Sequence, residues 1–398
     1  MTTKRALLAL MFLLLTVLPS MAQDAANPLI LVKAGDLWEW TGGPDLRQKT
    51  QWGYNYGLSK SPFTQEIAYD SMASLVVDYI TANGGLGGGP LPNNLWVITT
   101  EASDEAYRIA DQPVDASFMV PGVPENALIR ARAMWSPDGT QIAWVETAYA
   151  EDGTYRLMIY DKASQSTRTL AEGLPRQYGL GAGLDGVWLS EGIVLYSYTS
   201  TPNTTDPSGA QWSLIVIDPE TGVIRATVVL PTITNGDDAL NPILKMPVSY
   251  KEQSAIGVLY LGPKGTSQWY AVDLAASTLE AVSTPIGEPR QEGSGNLIRV
   301  MPRVFFSTEI GPSIGYEFYQ SDGTSITLTN DPQRYVHHFA FSPDGLAIAY
   351  QLASKVDFNF DHTISIWRDG SITTVPQTEG MDGIYEFVWG SSPWWKIE

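Results

Sequence analysis

Two ten-residue stretches of this chain share six identical residues in register and an aromatic at each end. One is Trp135-Ser136-Pro137-Asp138-Gly139-Thr140-Gln141-Ile142-Ala143-Trp144; the other is Phe341-Ser342-Pro343-Asp344-Gly345-Leu346-Ala347-Ile348-Ala349-Tyr350. Weaker copies stand at Ser61-Pro62 with Ile67-Ala68-Tyr69, and at Trp389 with Ser392-Pro393. The shared letters describe a β-hairpin. Proline presets the first turn position, aspartate bonds back to nearby backbone, and glycine takes the position of positive φ. The apolar and aromatic flanks are the two strands. A chain that repeats one hairpin over its length has to fold as an array of small sheets.

A second hairpin recurs more often. Strands ending at Asp161 (Leu157 to Tyr160), Asp218 (Leu214 to Ile217), Asp273 (Trp269 to Val272), Asp322 (Glu317 to Gln320) and Asp369 (Ile364 to Trp367) each run into a short polar turn. Another strand follows each turn, as at Ile224 to Leu230 or Ile372 to Val375. The same unit appears at Leu95 to Thr99 and at Leu37 to Thr41, which makes seven such hairpins. Units of roughly 40–50 residues with four strands are propeller blades. The expected fold is therefore all-β, a single seven-bladed β-propeller, with Gly84 to Pro92 and Pro113 to Pro124 as extended loops. The first hairpin has one candidate inner strand before it, Leu29 to Lys33, and Ile384 to Trp389 has no outer hairpin after it. Strands from both termini are expected to complete one blade together, which closes the ring and removes open sheet edges.

The Ser-Pro-Asp-Gly-x-x-Ile-Ala-aromatic repeat resembles that of TolB-type, WD-repeat-like β-propellers. The resemblance is closest at Trp135 to Trp144 and Phe341 to Tyr350 and weaker over the rest of the chain. It implies the propeller alone, without the α/β domain of TolB or the hydrolase domain of prolyl-oligopeptidase-like peptidases. It also implies binding of proteins or small ligands at the loop faces, and it brings no catalytic residue with it.

The first residues give an address. Lys4 and Arg5 precede an apolar run from Ala6 to Leu18, Pro19 breaks it, and Ser20-Met21-Ala22 places small residues where a signal peptidase reads. Residues 1–22 are expected to be a signal peptide and residues 23–398 the propeller. The run is shorter than the ~20 residues that span a bilayer, and no later stretch is longer, so no membrane span is expected after cleavage. The expected location is secreted or extracytoplasmic, in a periplasm or at the cell surface. The 398 residues carry a net charge of −19, and cleavage at Ala22 removes two bases and no acid. That balance argues against nucleic acid, which needs clustered Lys and Arg. With no cysteine there are no disulfides, thiolate metal sites or cysteine nucleophiles.

Motifs that carry chemistry are sparse. Asp357, Asn359 and Asp361 put oxygens at alternate positions and make the calcium candidate, although His362 and Arg368 stand where an EF-hand needs Gly and Glu. The alternative is a solvated strand face. His337 and His338 fall on one inner strand, where neighbours point to opposite sides, so a converging histidine metal site of the kind found in oligogalacturonate lyase propellers is not expected. Gly181-Ala182-Gly183-Leu184-Asp185-Gly186 has dinucleotide-fingerprint letters in an inter-blade loop context. Asp237-Asp238 is a solvated pair in a polar loop. Trp52, Tyr54, Tyr56, Trp394 and Trp395 fall outside the repeat pattern and are candidates for stacking sugars. No catalytic residue and no other cofactor is assigned.

The leading expectation is an exported, non-catalytic scaffold that binds a protein or oligosaccharide partner at a loop face. The alternative is a propeller lyase, hydrolase or binding protein acting on extracellular polysaccharide. Polar side chains from three or more blades meeting at the channel would favour the second.

Overall fold

The computed structural model describes residues 28–85, 91–100, 105–149, 155–174, 186–199, 211–236, 238–250, 253–262, 266–282, 299–307, 311–320, 322–342, 346–357, 359, 361–378 and 386–389. Their strands form six antiparallel sheets. The first contains β1 (Leu29–Lys33), β2 (Asp36–Trp40) and β3 (Arg47–Gln48). The second is β4 (Asn55–Lys60), β5 (Glu66–Met72), β6 (Asn93–Thr99) and β7 (Ala106–Ala110), with a helix α1 (Ser74–Asn83) between β5 and β6. The third is β8 (Leu128–Arg130), β9 (Met134–Trp135), β10 (Gln141–Ala148), β11 (Tyr155–Asp161) and β12 (Ser166–Leu174). The fourth is β13 (Gly186–Leu189), β14 (Gly192–Thr199), β15 (Gln211–Ile217) and β16 (Ile224–Leu230). The fifth runs from β17 (Ile233–Asn235) and β18 (Asp238–Tyr250) through β19 (Gln253–Leu261) and β20 (Ser267–Asp273) to β21 (Thr278–Val282). The sixth holds β22 (Arg299–Ser307), β23 (Gly311–Tyr319), β24 (Ser325–Ile326), β25 (Arg334–Phe341), β26 (Ala347–Ser354), β27 (Ser365–Arg368) and β28 (Ser371–Thr374). The last strand, β29 (Phe387–Trp389), returns to the first sheet.

The fold is a β-propeller with six blades, not the seven that the hairpin count implies. The hairpins at Asp322 and Asp369 lie in one seven-stranded sheet, joined where β23 pairs with β25 at Tyr316 and Val336. The reason lies in spacing: among the described residues three strands, β22 to β24, lie between the fifth sheet and β25. A turn signal counts hairpins, and the lateral pairing decides which hairpins share a sheet. The fold is all-β apart from the ten-residue helix α1 among the described residues. The helix ends at Gly84, whose φ of 80° lets its N–H reach back to Ile80 O at 2.9 Å.

The ring closes through the termini. β29 pairs antiparallel with β1, Phe387 opposite Leu31 and Trp389 opposite Leu29, and the order β29-β1-β2-β3 puts the C-terminal strand innermost. Apolar side chains then cement adjacent sheets face to face. Ile30 and Leu37 of the first sheet pack with Leu58 and Ile67 of the second. Leu95 and Val97 meet Trp135 and Trp144 of the third, and Leu157 meets Ile193 and Ile215 of the fourth. Leu29 and Phe387 pack on Ala347 and Ile364 of the sixth. Most of these are fully buried, so burial of about 25 cal/mol per Å2 of apolar surface acts at these junctions.

The Ser-Pro turn at Ser136 behaves as its chemistry requires. Ser136 Oγ donates to Asp138 Oδ1 at 2.6 Å and accepts from Gln141 N at 2.9 Å, and Gly139 has a φ of 68°. Ser342 Oγ likewise accepts from Ala347 N at 2.8 Å.

Candidate functional site at the channel

Successive sheets meet through their innermost strands: β25 lies beside β29, β29 beside β4, β4 beside β9, and β9 beside β13. A flat inner strand would alternate its side chains regularly between the two blade faces. Four inner strands break that alternation with one extra residue. The pairing of β4 with β5 slips between Tyr56 and Ser59, and that of β18 with β19 between Pro242 and Leu244. The pairing of β25 with β26 slips between Val336 and His338. In the third sheet the bulge is residues 131–133, which interrupt the inner strand so that β8 and β9 pair with β10 one residue out of step. Bulges re-aim side chains and end local pairing, which is why they gather at sites.

Three of these bulges, in β4, at residues 131–133 and in β25, lie around Glu386 and Phe387 of the closing strand. Glu386 sits just before β29 and its carbonyl accepts from Val32 N at 3.0 Å, which fixes its backbone on the closing strand. Its carboxylate reaches two other sheets. Oε2 accepts the Leu58 N–H at 2.8 Å, an N–H freed by the β4 bulge. Oε1 accepts from Arg132 Nη2 at 2.8 Å. The Arg132 side chain remains 51% exposed and that of Glu386 24%. From the sixth sheet, the His338 ring stands edge-on to Phe387 at 4.7 Å. Glu386 therefore joins three sheets, and His338 of a fourth packs on the residue next to it.

The electrostatics follow from this crowding. His338 is lowered to about 4, first by burial and then by repulsion of its charged form by His337 and Arg132, so at neutral pH it is an uncharged imidazole. Tyr56 is raised far above the ordinary phenol value, chiefly by burial, with the carboxylates of Asp70 and Glu386 adding to it. It stays a neutral O–H. Asp70 is buried on β5 beneath Gly57. Gly57 has a φ of 67°, and a Cβ there would collide with Asp70 Oδ2, so the bulge and the buried carboxylate need glycine. Just before β4, the half-exposed Trp52 stacks edge-on with Tyr54 at 6.2 Å and donates its indole N–H to Met72 O at 3.1 Å.

The other sequence candidates stand apart from this ring. Asp357 accepts from the Asn359 side-chain amide at 2.8 Å, and Asp361 pairs with Arg334, in an exposed turn after β26. The turn is folded and not extended: Ser354 N donates to Asn359 O at 2.8 Å and Asp361 N to Leu352 O at 2.7 Å. Among the described residues no three His, Asp or Glu side chains are grouped to hold a metal. His337 is exposed and His338 half-buried, as the bulge between Val336 and His338 dictates. Of the sugar-stacking candidates, Trp52 and Tyr54 lie just before β4 and Tyr56 lies in it, while Trp394 and Trp395 lie outside the described residues. Asp237 and residues 181–185 of the glycine-rich loop also lie outside them.

Arg132 and Glu386 were not singled out by any motif. One signal was there: Gly57, Arg132 and His338 each stand four residues before the serine of a repeat, Ser61, Ser136 and Ser342. The repeat thus marks the bulge position in three blades.

No family model matches the sequence, and no curated protein matches it. Solved structures share its architecture at low identity. An acylaminoacyl peptidase in complex with Z-Gly-Gly-Phe-chloromethyl ketone aligns with a TM-score of 0.48 at 14% identity, over 80% of this chain and 46% of the peptidase. An oligogalacturonate lyase in complex with manganese aligns with a TM-score of 0.48 at 13% identity, over 86% and 83% of the two chains. TolB from Acinetobacter baumannii aligns with a TM-score of 0.41 at 11% identity, over 93% of this chain and 67% of TolB. The chain spans about half the length of the acylaminoacyl peptidases it resembles. The likeness concerns the propeller fold, and the site has to be read from this chain's own residues. No helix among the described residues is long and apolar enough to cross a membrane.

Proposed function

We propose that this chain is an exported propeller that binds a ligand in its channel, at the ring formed by Tyr56, Arg132, His338 and Glu386. The observation that supports it is Glu386, whose carboxylate joins the closing strand to Leu58 N–H of the second sheet and Arg132 of the third, with His338 of the sixth packed on neighbouring Phe387, all beside bulged inner strands. Such bulges interrupt regular pairing without adding core, which suits a recognition site better than a purely structural ring. The apolar face of a protein-docking scaffold is not needed to explain it. Trp52 and Tyr54 offer ring faces on the same approach, in keeping with an oligosaccharide partner.

Enzymatic turnover is the second reading. What favours it is the placement of a neutral imidazole, a phenol and a carboxylate in one ring, groups able to move protons.

The test is the thermal midpoint of the full mature chain against a panel of oligosaccharides and peptides, in the native protein and in His338→Trp, which fills the ring. A ligand that raises the midpoint of the native protein and leaves the variant unmoved supports channel binding, with ~2.7 kcal/mol expected at a hundredfold excess over Kd. Equal shifts in both proteins would sink it. Export is checked by sequencing the N-terminus of the protein recovered outside the cytoplasm, expected at Gln23.

A further inference from the structure

The channel reading above leaves the chemistry of the ligand open, and Arg132 narrows it. The chain carries 43 acidic and 24 basic residues, so a cation held at the channel needs a reason. Arg132 is placed there by the bulge at residues 131–133 and not by core packing, since half of its side chain stays in solvent. Among the described residues it makes one ion pair, Nη2 to Glu386 Oε1 at 2.8 Å. A guanidinium has five N–H donors in a rigid fork, so one contact fixes its plane and leaves a second edge to present. Glu386 is itself anchored by the Leu58 N–H and by its backbone on the closing strand, so the fork is held on a rigid mount.

We propose that Arg132 is the recognition residue for a carboxylate on the ligand, with Glu386 as the positioning residue that orients it. This rests on the channel reading. The ligand group carries one negative charge, not two. Glu386 and the buried Asp70 are close to the ring, and a phosphate dianion would meet both of them with one cation to offset its charge. A planar carboxylate matches the free edge of the guanidinium with two parallel hydrogen bonds. The uncharged His338 stands next to it and adds a polar partner without adding charge. The carboxylate belongs either to an acidic sugar, with Trp52 and Tyr54 flanking the approach, or to the C-terminus of a peptide.

The experiment is calorimetric titration of the full mature chain with four probes: glucuronate, N-acetylglycine, glucose and inorganic phosphate. At least one of the two carboxylates is expected to bind, with phosphate and glucose weaker by at least about tenfold. Arg132→Gln is expected to weaken the carboxylate about 10–100-fold, and Arg132→Lys about tenfold, because a point charge cannot replace the fork. Glu386→Gln leaves a neutral acceptor in place and is expected to weaken it a few-fold. Because Arg132 is half exposed, its variants should melt within a few degrees of the native protein, which keeps the comparison clean. Absence of binding by both carboxylates at 10 mM, ~100 times the Kd of a modest site, overturns the proposal. So does carboxylate binding that Arg132→Gln leaves unchanged. A neutral oligosaccharide that binds, is blocked by His338→Trp and ignores Arg132→Gln would overturn the carboxylate inference while leaving the channel reading intact.

Discussion

Removing Glu146 should destabilise this propeller more than almost any other single change to a polar residue. Glu146 lies on β10 with its side chain 5% exposed, and Arg130 on β8 is 3% exposed. Arg130 Nε donates to Glu146 Oε2 at 3.0 Å, Arg156 Nη2 donates to Oε1 at 2.7 Å, and the Trp144 indole N–H reaches Oε2 at 3.2 Å. Arg130 also donates to the backbone carbonyls of Asn93 and Asp111, tying the third sheet to the second, and burial pushes its guanidinium below the ordinary value. Glu146→Ala strips the counter-charge from a cation that cannot reach water. Breaking a buried pair this way costs about 3–5 kcal/mol. The orphaned Trp144 N–H adds about 1 kcal/mol, while Arg156, over a third exposed, turns to solvent at little cost. A loss of about 4 kcal/mol is a large share of the 5–15 kcal/mol typical of folded domains. The assay is urea unfolding of the full mature chain followed by tryptophan fluorescence, with the midpoint and slope fitted together. The decisive control is Arg130→Met combined with Glu146→Leu, which removes both charges and their desolvation cost. It should recover at least about 2 kcal/mol relative to Glu146→Ala alone. A loss below about 1 kcal/mol in the single variant, or a double variant weaker than the single, would refute the assignment of an uncompensated buried charge.

Gly57→Ala forces a Cβ into Asp70 at a φ of 67° and should cost about 1–3 kcal/mol by the same urea assay, more than a typical exposed Gly→Ala change. The turn aspartates Asp138, Asp161, Asp218, Asp322 and Asp357 are all held below the usual carboxylate range, Asp218 at about 2, mainly by hydrogen bonds from their own turns. Their contribution is present above the unfolded value near pH 4 and is lost as pH falls toward 2, so the thermal midpoint should drop steeply across that window and Asp218→Asn should flatten part of the drop. His338 is a base whose folded value, about 4, lies below its unfolded value near 6.5, so the folded state binds fewer protons and stability declines as pH falls from 6.5 to 4. His338→Gln should remove that slope, visible as parallel midpoints at pH 7 and pH 5. Calcium at the Asp357–Asp361 turn would have to displace Arg334 from Asp361. The expected result of adding 1 mM calcium is a midpoint shift below about 1 °C, and a larger shift abolished by Asp361→Asn would establish the site.

Local signals carried a long way here. The strand at Ile224–Leu230 begins and ends where its apolar run does, and the turn at Ser136 to Gly139 has the hydrogen bonds its letters imply. The closing strand was legible as well, because the first hairpin has one inner strand before it, Leu29 to Lys33, and β29 supplies the second. The helix at Ser74–Asn83 was not: its Leu-Val-Val-Asp-Tyr-Ile run suits a strand equally well, and Ala73 gives no side-chain cap. It is helical because Val76, Leu75 and Tyr79 pack on Phe118 and Ala127 of the loop after β7. The hairpin count overstates the blade number for a related reason. Each hairpin is a local event, but whether β23 joins β25 is settled by lateral pairing between strands of different hairpins.

The sequence by itself determined the unit of this fold, the hairpin with its Pro, Asp and Gly turn, because those residues act on their own backbone within a few positions. It also determined the closure of the ring, since a strand needs a partner and one was left over at each end. Only the tertiary structure decided how many sheets the hairpins make and where the chemistry lies. Leu58, Arg132, His338 and Glu386 are separated by up to 328 residues, and no local pattern links them. They meet because one-residue bulges turn inner strands toward the channel and the ring brings those strands side by side, a geometry set by the packing of whole sheets.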